Sequence, residues 1–138
     1  MCIRKINHEE DIKAIEDVWF NASGCENEQN WGNVHKEIKC PNNITYVKTR
    51  GGSIVAFVTI RRKGITSLQN YIFEIFSHPQ SQGFGSELLK EMQNKRLSLS
   101  LHVKKTNTDG IRFYENNGFR KKLSNHCEKY QMEWKSQP

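Results

Sequence analysis

A chain of 138 residues with a hydrophobic fraction of 36% has room for one packed domain and little more. Lysine and arginine number 21 against 15 acidic residues, a formal charge of +6 that suits nucleic acid, an acidic substrate or a phosphate-rich coenzyme. No stretch approaches the roughly 20 apolar residues that cross a bilayer, and Met1-Cys2-Ile3-Arg4-Lys5 lacks the apolar run of a secretory signal.

In chain order, residues 2–6 read as a short strand, followed by a helix with Asn7 as cap and Glu10 in the capping-box relation. Ile12, Ile15, Val18 and Trp19 fall on one face of that helix, and Gly24 ends it. The polar segment 21–43 holds a short helix around 30–38, and Pro41-Asn42-Asn43 closes it as a turn. Ile44–Arg50, the Gly51-Gly52 turn and Ser53–Arg61 read as a hairpin. In its second strand Ile54, Ala56, Val58 and Ile60 share one side, with Val55 and Phe57 on the other. A third strand spans 65–77 and places Glu74 inside the apolar run Tyr71-Ile72-Phe73-Glu74-Ile75-Phe76.

The period then changes. Ser86–Arg96 is helical, with Leu88, Leu89 and Met92 on one face. Leu97, Leu99, Leu101 and Val103 alternate with Ser98, Ser100 and His102 as a strand. Thr108–Asn116 is a second helix, with Asn107 or Thr106 as cap and Gly118 as a left-handed stop. Phe119–Leu123 and Glu128–Trp134 form a closing hairpin. The expected fold is therefore α/β: a single domain over residues 1–138 whose mixed sheet, parallel in the middle and antiparallel at its edges, is flanked by helices. Ligands of such sheets sit at the carboxyl ends of the central strands.

The segment Gln80-Ser81-Gln82-Gly83-Phe84-Gly85-Ser86 lies at such an end. Gly83 and Gly85 admit backbone angles closed to other residues, and the amides of Gln82–Ser86 can converge on phosphate oxygens at a helix N-terminus. Alone, a Gly-x-Gly is as good a tight structural turn as an anion site. It is neither a Walker pattern, since no Gly-Lys-Ser/Thr follows, nor a dinucleotide fingerprint, since position 88 is leucine.

Ile75-Phe76-Ser77-His78-Pro79 with Gln80-Ser81-Gln82-Gly83-Phe84-Gly85-Ser86-Glu87-Leu88-Leu89 resembles the coenzyme motif of the GNAT N-acetyltransferase family. Asn107, Gly110, Phe113-Tyr114 and Gly118-Phe119 resemble that family's second block, and Met132 falls in a familiar last strand. The likeness covers about residues 44–134 and departs in two places: the Pro79–Gln80 junction is short, and Gly110 stands where alanine is usual. The resemblance implies a centrally splayed sheet and acetyl-coenzyme A as cofactor. It places the pyrophosphate on the amides of Gln80, Gln82, Gly83, Phe84, Gly85 and Ser86, and the pantetheine arm along Ile75, Phe76 and Ser77, which splay from Leu99–Val103. Asn107 and Tyr114 would also meet the coenzyme.

Acetyl transfer needs a neutral amine, a polarised thioester and a proton for the departing sulfur. The resemblance assigns that proton to Tyr114. Glu74, a carboxylate among apolar neighbours, is the candidate base, against a reading as a salt-bridged structural residue; bulk water can also serve. His78 ranks below it, and His102 reads as a sheet residue on the less buried face. Trp31, Glu26, Glu28 and His35 are available to line an acceptor pocket.

The expected partner is a small-molecule amine ahead of a peptide; a non-catalytic acyl-coenzyme A-binding module is the alternative class. Cys2, Cys25, Cys40 and Cys127 form no Cys-x-x-Cys or zinc spacing, so no metal is expected and reduced thiols in a cytoplasmic protein are. The compact basic triplets Arg61-Arg62-Lys63 and Arg120-Lys121-Lys122 sit at strand ends and read as solvated surface, with neither a nucleic-acid nor a membrane partner. Tyr130, Met132 and Trp134 alternate with Lys129, Gln131 and Glu133, an apolar row that covers the core or pairs two copies as a homodimer.

Overall fold

The computed structural model describes residues 2–23, 31–62, 69–78, 83–95, 98–123 and 127–135. Their elements in order are β1 (Cys2–Lys5), α1 (Ile12–Ser23), α2 (Trp31–Lys39), β2 (Asn43–Arg50), β3 (Ser53–Arg62), β4 (Gln69–Ser77), α3 (Phe84–Asn94), β5 (Ser98–Lys104), α4 (Thr108–Asn116), β6 (Arg120–Lys122) and β7 (Lys129–Trp134). The strands form one seven-stranded sheet in the order β1-β2-β3-β4-β5-β7-β6. Every neighbouring pair is antiparallel except β4 and β5, the pair joined through α3.

Two apolar clusters lie on opposite faces of the sheet. On one, Ala56, Val58, Ile60, Ile72, Leu99, Leu101 and Met132 pack against Phe84, Leu88, Leu89 and Met92 of α3 and Ile111 of α4. On the other, Val47 and Phe57 meet Ile15 and Val18 of α1 and Val34 and Ile38 of α2. The i, i+3, i+4 spacing of those helical residues puts each set on one stripe.

The first helix begins later than the sequence suggests. Asn7 Oδ1 accepts from the amides of Glu9 and Glu10 at 3.0 and 3.2 Å, closing a turn rather than capping α1. Asp11 does the anchoring: it is buried, bonds the Asn7 amide at 2.7 Å and pairs with Arg4 at 2.6 Å. The opposite happens at α3, which begins at Phe84 rather than Ser86.

Two register shifts break the simple alternation. Lys48 pairs with Ala56 but Thr49 with Ile54, so Val55 is an extra residue. Ile54 is thereby turned to the α1/α2 face, away from Ala56, Val58 and Ile60 with which alternation alone had grouped it. Thr59 pairs with Glu74 but Ile60 with Ile72, leaving Phe73 extra. That bulge puts Ile72 and Glu74 on opposite faces, although two residues apart they would otherwise share one.

Strand β7 lies inside the sheet, between β5 and β6, and Tyr130, Met132 and Trp134 face the α3/α4 cluster. In that row Met132 is buried in the core and Tyr130 and Trp134 are partly buried against it. Among the described residues no helix is long and apolar enough to cross a membrane.

Candidate active site

Strands β4 and β5 are joined only at Gln69, Asn70 and Tyr71 against Ser98, Leu99 and Ser100. From Ile72 and Leu101 onward they part. The expected splay therefore starts at Leu101, later than Leu99. His78 donates its amide to the Val55 carbonyl at 2.9 Å. By strand alternation Phe76 and His78 turn their backbone groups to β3, and Ile75 and Ser77 turn theirs into the gap. Buried backbone groups need partners, so this open edge of β4 suits an extended amide-bearing ligand. The Phe76 ring itself packs 5.5 Å from Phe57 in the α1/α2 cluster.

The gap leads to the start of α3. Gly83 is exposed, has φ 75° and caps α3 with no side-chain hydrogen bond. The first helical amides are left for an anion, which the helix dipole also favours. A Cβ on Gly83 would meet nothing within 4 Å, so its glycine answers to the left-handed angle alone. Gly85 differs: a Cβ there would lie 3.3 Å from Phe113 Cζ and 3.6 Å from Ser77 Oγ. Its glycine lets α3 approach α4 and β4. Phe84 is buried in the core, leaving its amide for the site, and Ser86 Oγ accepts from Asn117 Nδ2 at 3.3 Å. Gln80 and Gln82 lie outside the described residues.

Tyr114 projects from α4, its ring 5.3 Å from Phe113 and 5.6 Å from Phe119. Loss of hydration, with the charges of Glu74 and Tyr71 added, pushes its hydroxyl far above the ordinary tyrosine range. Neutral at any working pH, the hydroxyl can donate a hydrogen bond. Asn107 caps α4, its side-chain oxygen accepting the Gly110 amide at 3.0 Å. A Cβ on residue 110 would fall 2.6 Å from Asn107 Nδ2, which explains the glycine where the family usually has alanine.

Glu74 is 6% exposed, and neither carboxyl oxygen has a hydrogen-bond partner. Burial raises its pKa to about 8; the Thr59 hydroxyl beside it, already bonded to Thr45 at 2.9 Å, offsets part of the rise, and Glu37 adds to it. The salt-bridged structural reading is not what the fold builds: Glu37 pairs with Arg61 at 3.5 Å, and Glu74 stays apart. His78 is exposed beyond the end of β4. Trp31 stacks on His35 at 5.4 Å and leans on Trp19 at 5.7 Å, while Glu26 and Glu28 lie outside the described residues.

Two features escaped the sequence reading. Tyr71 and His102 share a hydrogen bond of 2.8 Å beside the last rung before the splay, with Tyr71 close enough to feel the Glu74 charge. Their separation by 31 residues left only the strand alternation as a hint, and that treated His102 as bland surface. The second is Lys48, buried beneath α3. A concavity of about 430 Å³ lined by Gly118, Arg120, Glu133, Trp134 and Lys135 shares no residue with the cleft.

The family described as "Acetyltransferase (GNAT) domain" matches residues 41–121, which include the β4–β5 splay, the glycine turn and Tyr114. The chain belongs to the GNAT acetyltransferase family. Membership carries the general activity, acetyl-coenzyme A-dependent N-acetylation. No curated protein matches the chain. Solved GNAT structures superpose along its whole length. The ribosomal-protein-S18-alanine N-acetyltransferase of Escherichia coli aligns with TM-score 0.75 at 19% identity, over 99% of this chain and 95% of its own. The PaiA N-acetyltransferase of Thermoplasma acidophilum, solved with coenzyme A, gives 0.73 at 19%, over 97% and 98%. A GNAT family acetyltransferase from Elizabethkingia anophelis, with acetyl-coenzyme A bound, gives 0.74 at 16%, over 97% of each. At such identities the likeness is one of GNAT fold.

Proposed function

We propose that this chain moves the acetyl group of acetyl-coenzyme A onto a primary amine by direct attack in a ternary complex. The observation that carries the reading is the continuity of the cleft. The unpaired edge of β4 at Ile75 and Ser77 ends against the uncapped start of α3, where a Cβ on Gly85 would lie 3.6 Å from Ser77 Oγ. Tyr114 is near enough to β4 to feel the charges of Glu74 and Tyr71. The group that fits there supplies an activated acetyl thioester when bound. Ile75 and Ser77 orient its amide-bearing arm, and the amides of Gly83–Ser86 hold its phosphates. Asn107, committed to its cap, adds its exposed amide end at most.

The residues divide the proton work. Tyr114 stays protonated and donates a hydrogen bond to the thiolate charge that develops at the sulfur, which then takes its proton from solvent. Glu74, with a pKa of about 8, takes the proton of the attacking ammonium group; a base is most effective when its pKa lies near the working pH. The Tyr71–His102 hydrogen bond supports a second reading, in which this pair, exposed at His102, accepts the proton instead.

The acceptor must reach a carboxyl that is 6% exposed and lies opposite Thr59 on the α1/α2 side of the sheet. A deep, roofed base favours a small amine over an extended peptide. Transfer assays over polyamines, amino acids, aminoglycosides and N-terminal peptides test enzyme and acceptor together. Turnover on small amines supports the reading; turnover confined to peptides redirects it. Tight coenzyme binding without transfer to any amine would make the chain a binding module.

A further inference from the structure

Strand β2 sends two cations toward the first turn of α3. Arg50 lies over the Phe84 ring, 5.7 Å from its centroid, at the helix start. Lys48 is only 4% exposed, which is unusual for a strongly hydrated ammonium group. Its Nζ pairs with Glu87 Oε2 at 2.6 Å. Glu87 belongs to the first turn of α3, and its amide makes the 3.1 Å bond to the Gly83 carbonyl that starts the helix. Ala56, the small cross-strand partner of Lys48, and the register shift that follows Lys48 accompany the rise of the ammonium toward α3.

Packing alone does not ask for this arrangement. Apolar side chains of similar volume fill such a space without the cost of dehydrating a charge. A carboxylate in the first turn favours its own helix but competes with any anion for the same dipole and amides. Glu87 stands next to the amides assigned to the coenzyme phosphates, and its charge there would repel them.

We propose that Lys48 is a positioning residue for the coenzyme phosphates. It neutralises Glu87, so that the amides of Gly83–Ser86 meet an incoming anion with their field undiminished. This rests on the assignment of the coenzyme to the glycine turn.

The test is a double-mutant cycle of wild type, Lys48→Met, Glu87→Gln and the pair, each checked for folding by circular dichroism. Calorimetry gives coenzyme A affinity at low and physiological salt. Initial rates are taken with acetyl-coenzyme A and with acetyl-pantetheine, which carries the thioester without phosphates. Lys48→Met, which leaves Glu87 uncompensated, weakens coenzyme A binding by roughly fivefold to fiftyfold, more at low salt. Glu87→Gln binds at least as tightly as wild type even if its stability falls. The double variant returns to within about threefold of wild type, as coupling through one charge pair requires. Rates with acetyl-pantetheine stay within about twofold throughout, a split that a merely structural lysine would not produce.

Equal weakening in Lys48→Met and the double variant, or equal losses with both donors, overturns the proposal. Should Lys48→Met not fold, Glu87→Gln decides alone, and weaker binding by that variant overturns it. Wild-type protein that binds no coenzyme A ends the coenzyme assignment itself, whereas binding without coupling ends only the role of Lys48.

Discussion

A carboxyl that is 6% exposed, with no hydrogen-bond partner and a pKa raised from 4.5 to about 8, makes Glu74 a measurable weakness of the fold. Its folded pKa lies above the unfolded one, so its contribution to stability is complete below pH 4.5 and is lost as pH rises toward 8. Denaturant unfolding of the coenzyme-free protein should show stability falling across that window, with Glu74 contributing at most about 1.4 kcal/mol per pH unit. Glu74→Gln should remove that slope and be the more stable protein at pH 8. A wild-type slope unchanged by the substitution would mean that Glu74 is hydrated and ordinary. In catalysis the same group predicts a rate that climbs with pH to an apparent pKa near 8. Glu74→Gln should abolish that limb. If instead His102→Ala abolishes it, the Tyr71–His102 pair is the base. Tyr114→Phe keeps the ring against Phe113 and Phe119 and removes only the donor. Turnover should fall roughly 10- to 1000-fold with little change in coenzyme affinity, the pattern of an interaction made in the transition state. Because burial raises the Tyr114 hydroxyl far above its ordinary range, no basic limb below pH 10 should report it.

At the scale of elements, what could be read from the sequence was whatever local chemistry decides. The bounds of α4 follow from Asn107, whose side chain takes the Gly110 amide, and from Gly118 at φ 88°. The Gly51-Gly52 hairpin is equally local, with φ 58° and 83°. The bulges at Val55 and Phe73 were not legible, because period-two alternation looks the same with or without one extra residue until the partner strand is known. The side-chain direction of Glu74 depends on the second bulge. Lys48 was invisible for a related reason: its partner Glu87 is distant in sequence, and a lysine in a strand reads as surface. The turn residues themselves give a graded prediction. Gly83→Asn, which tolerates the left-handed angle, should keep most coenzyme affinity, whereas Gly83→Val should lose more than about tenfold while still folding, since nothing crowds its Cβ. Gly110→Ala should not stabilise α4. The propensity gain of up to about 1 kcal/mol is cancelled by displacing Asn107 and losing a cap of similar worth. A clear rise in melting temperature would show that Asn107 moves aside freely.

Over the whole molecule, the sheet is two antiparallel sections, β1 to β4 and β5-β7-β6, joined edge to edge only at Gln69–Tyr71 and Ser98–Ser100. The α3/α4 cluster spans the seam on one face, whereas the α1/α2 cluster draws no residue from β5, β6 or β7. The outer edge on the β5 side is β6, whose Arg120, Lys121 and Lys122 are all exposed, a charged margin that discourages edge pairing between copies. The seam is held at only three paired positions, as few as the short β6 margin has, and it is also the proposed path of the coenzyme. A ligand that binds only the folded protein stabilises it by about 2.7 kcal/mol at a hundred times its Kd. Acetyl-coenzyme A should accordingly raise the melting temperature in proportion to its concentration. Hydrogen exchange should locate the gain: Ile72–Ser77 and Leu101–Lys104 should slow by more than the global stabilisation accounts for, with the Gly83–Ser86 amides slowing alongside. The β1–β2 pairs, such as Ile3 with Lys48, should change only with global stability. Protection spread evenly over both sections would mean that the coenzyme stabilises the fold without bridging the seam. Protection confined to residues 83–86 would place its phosphates at the turn but leave the splay unfilled.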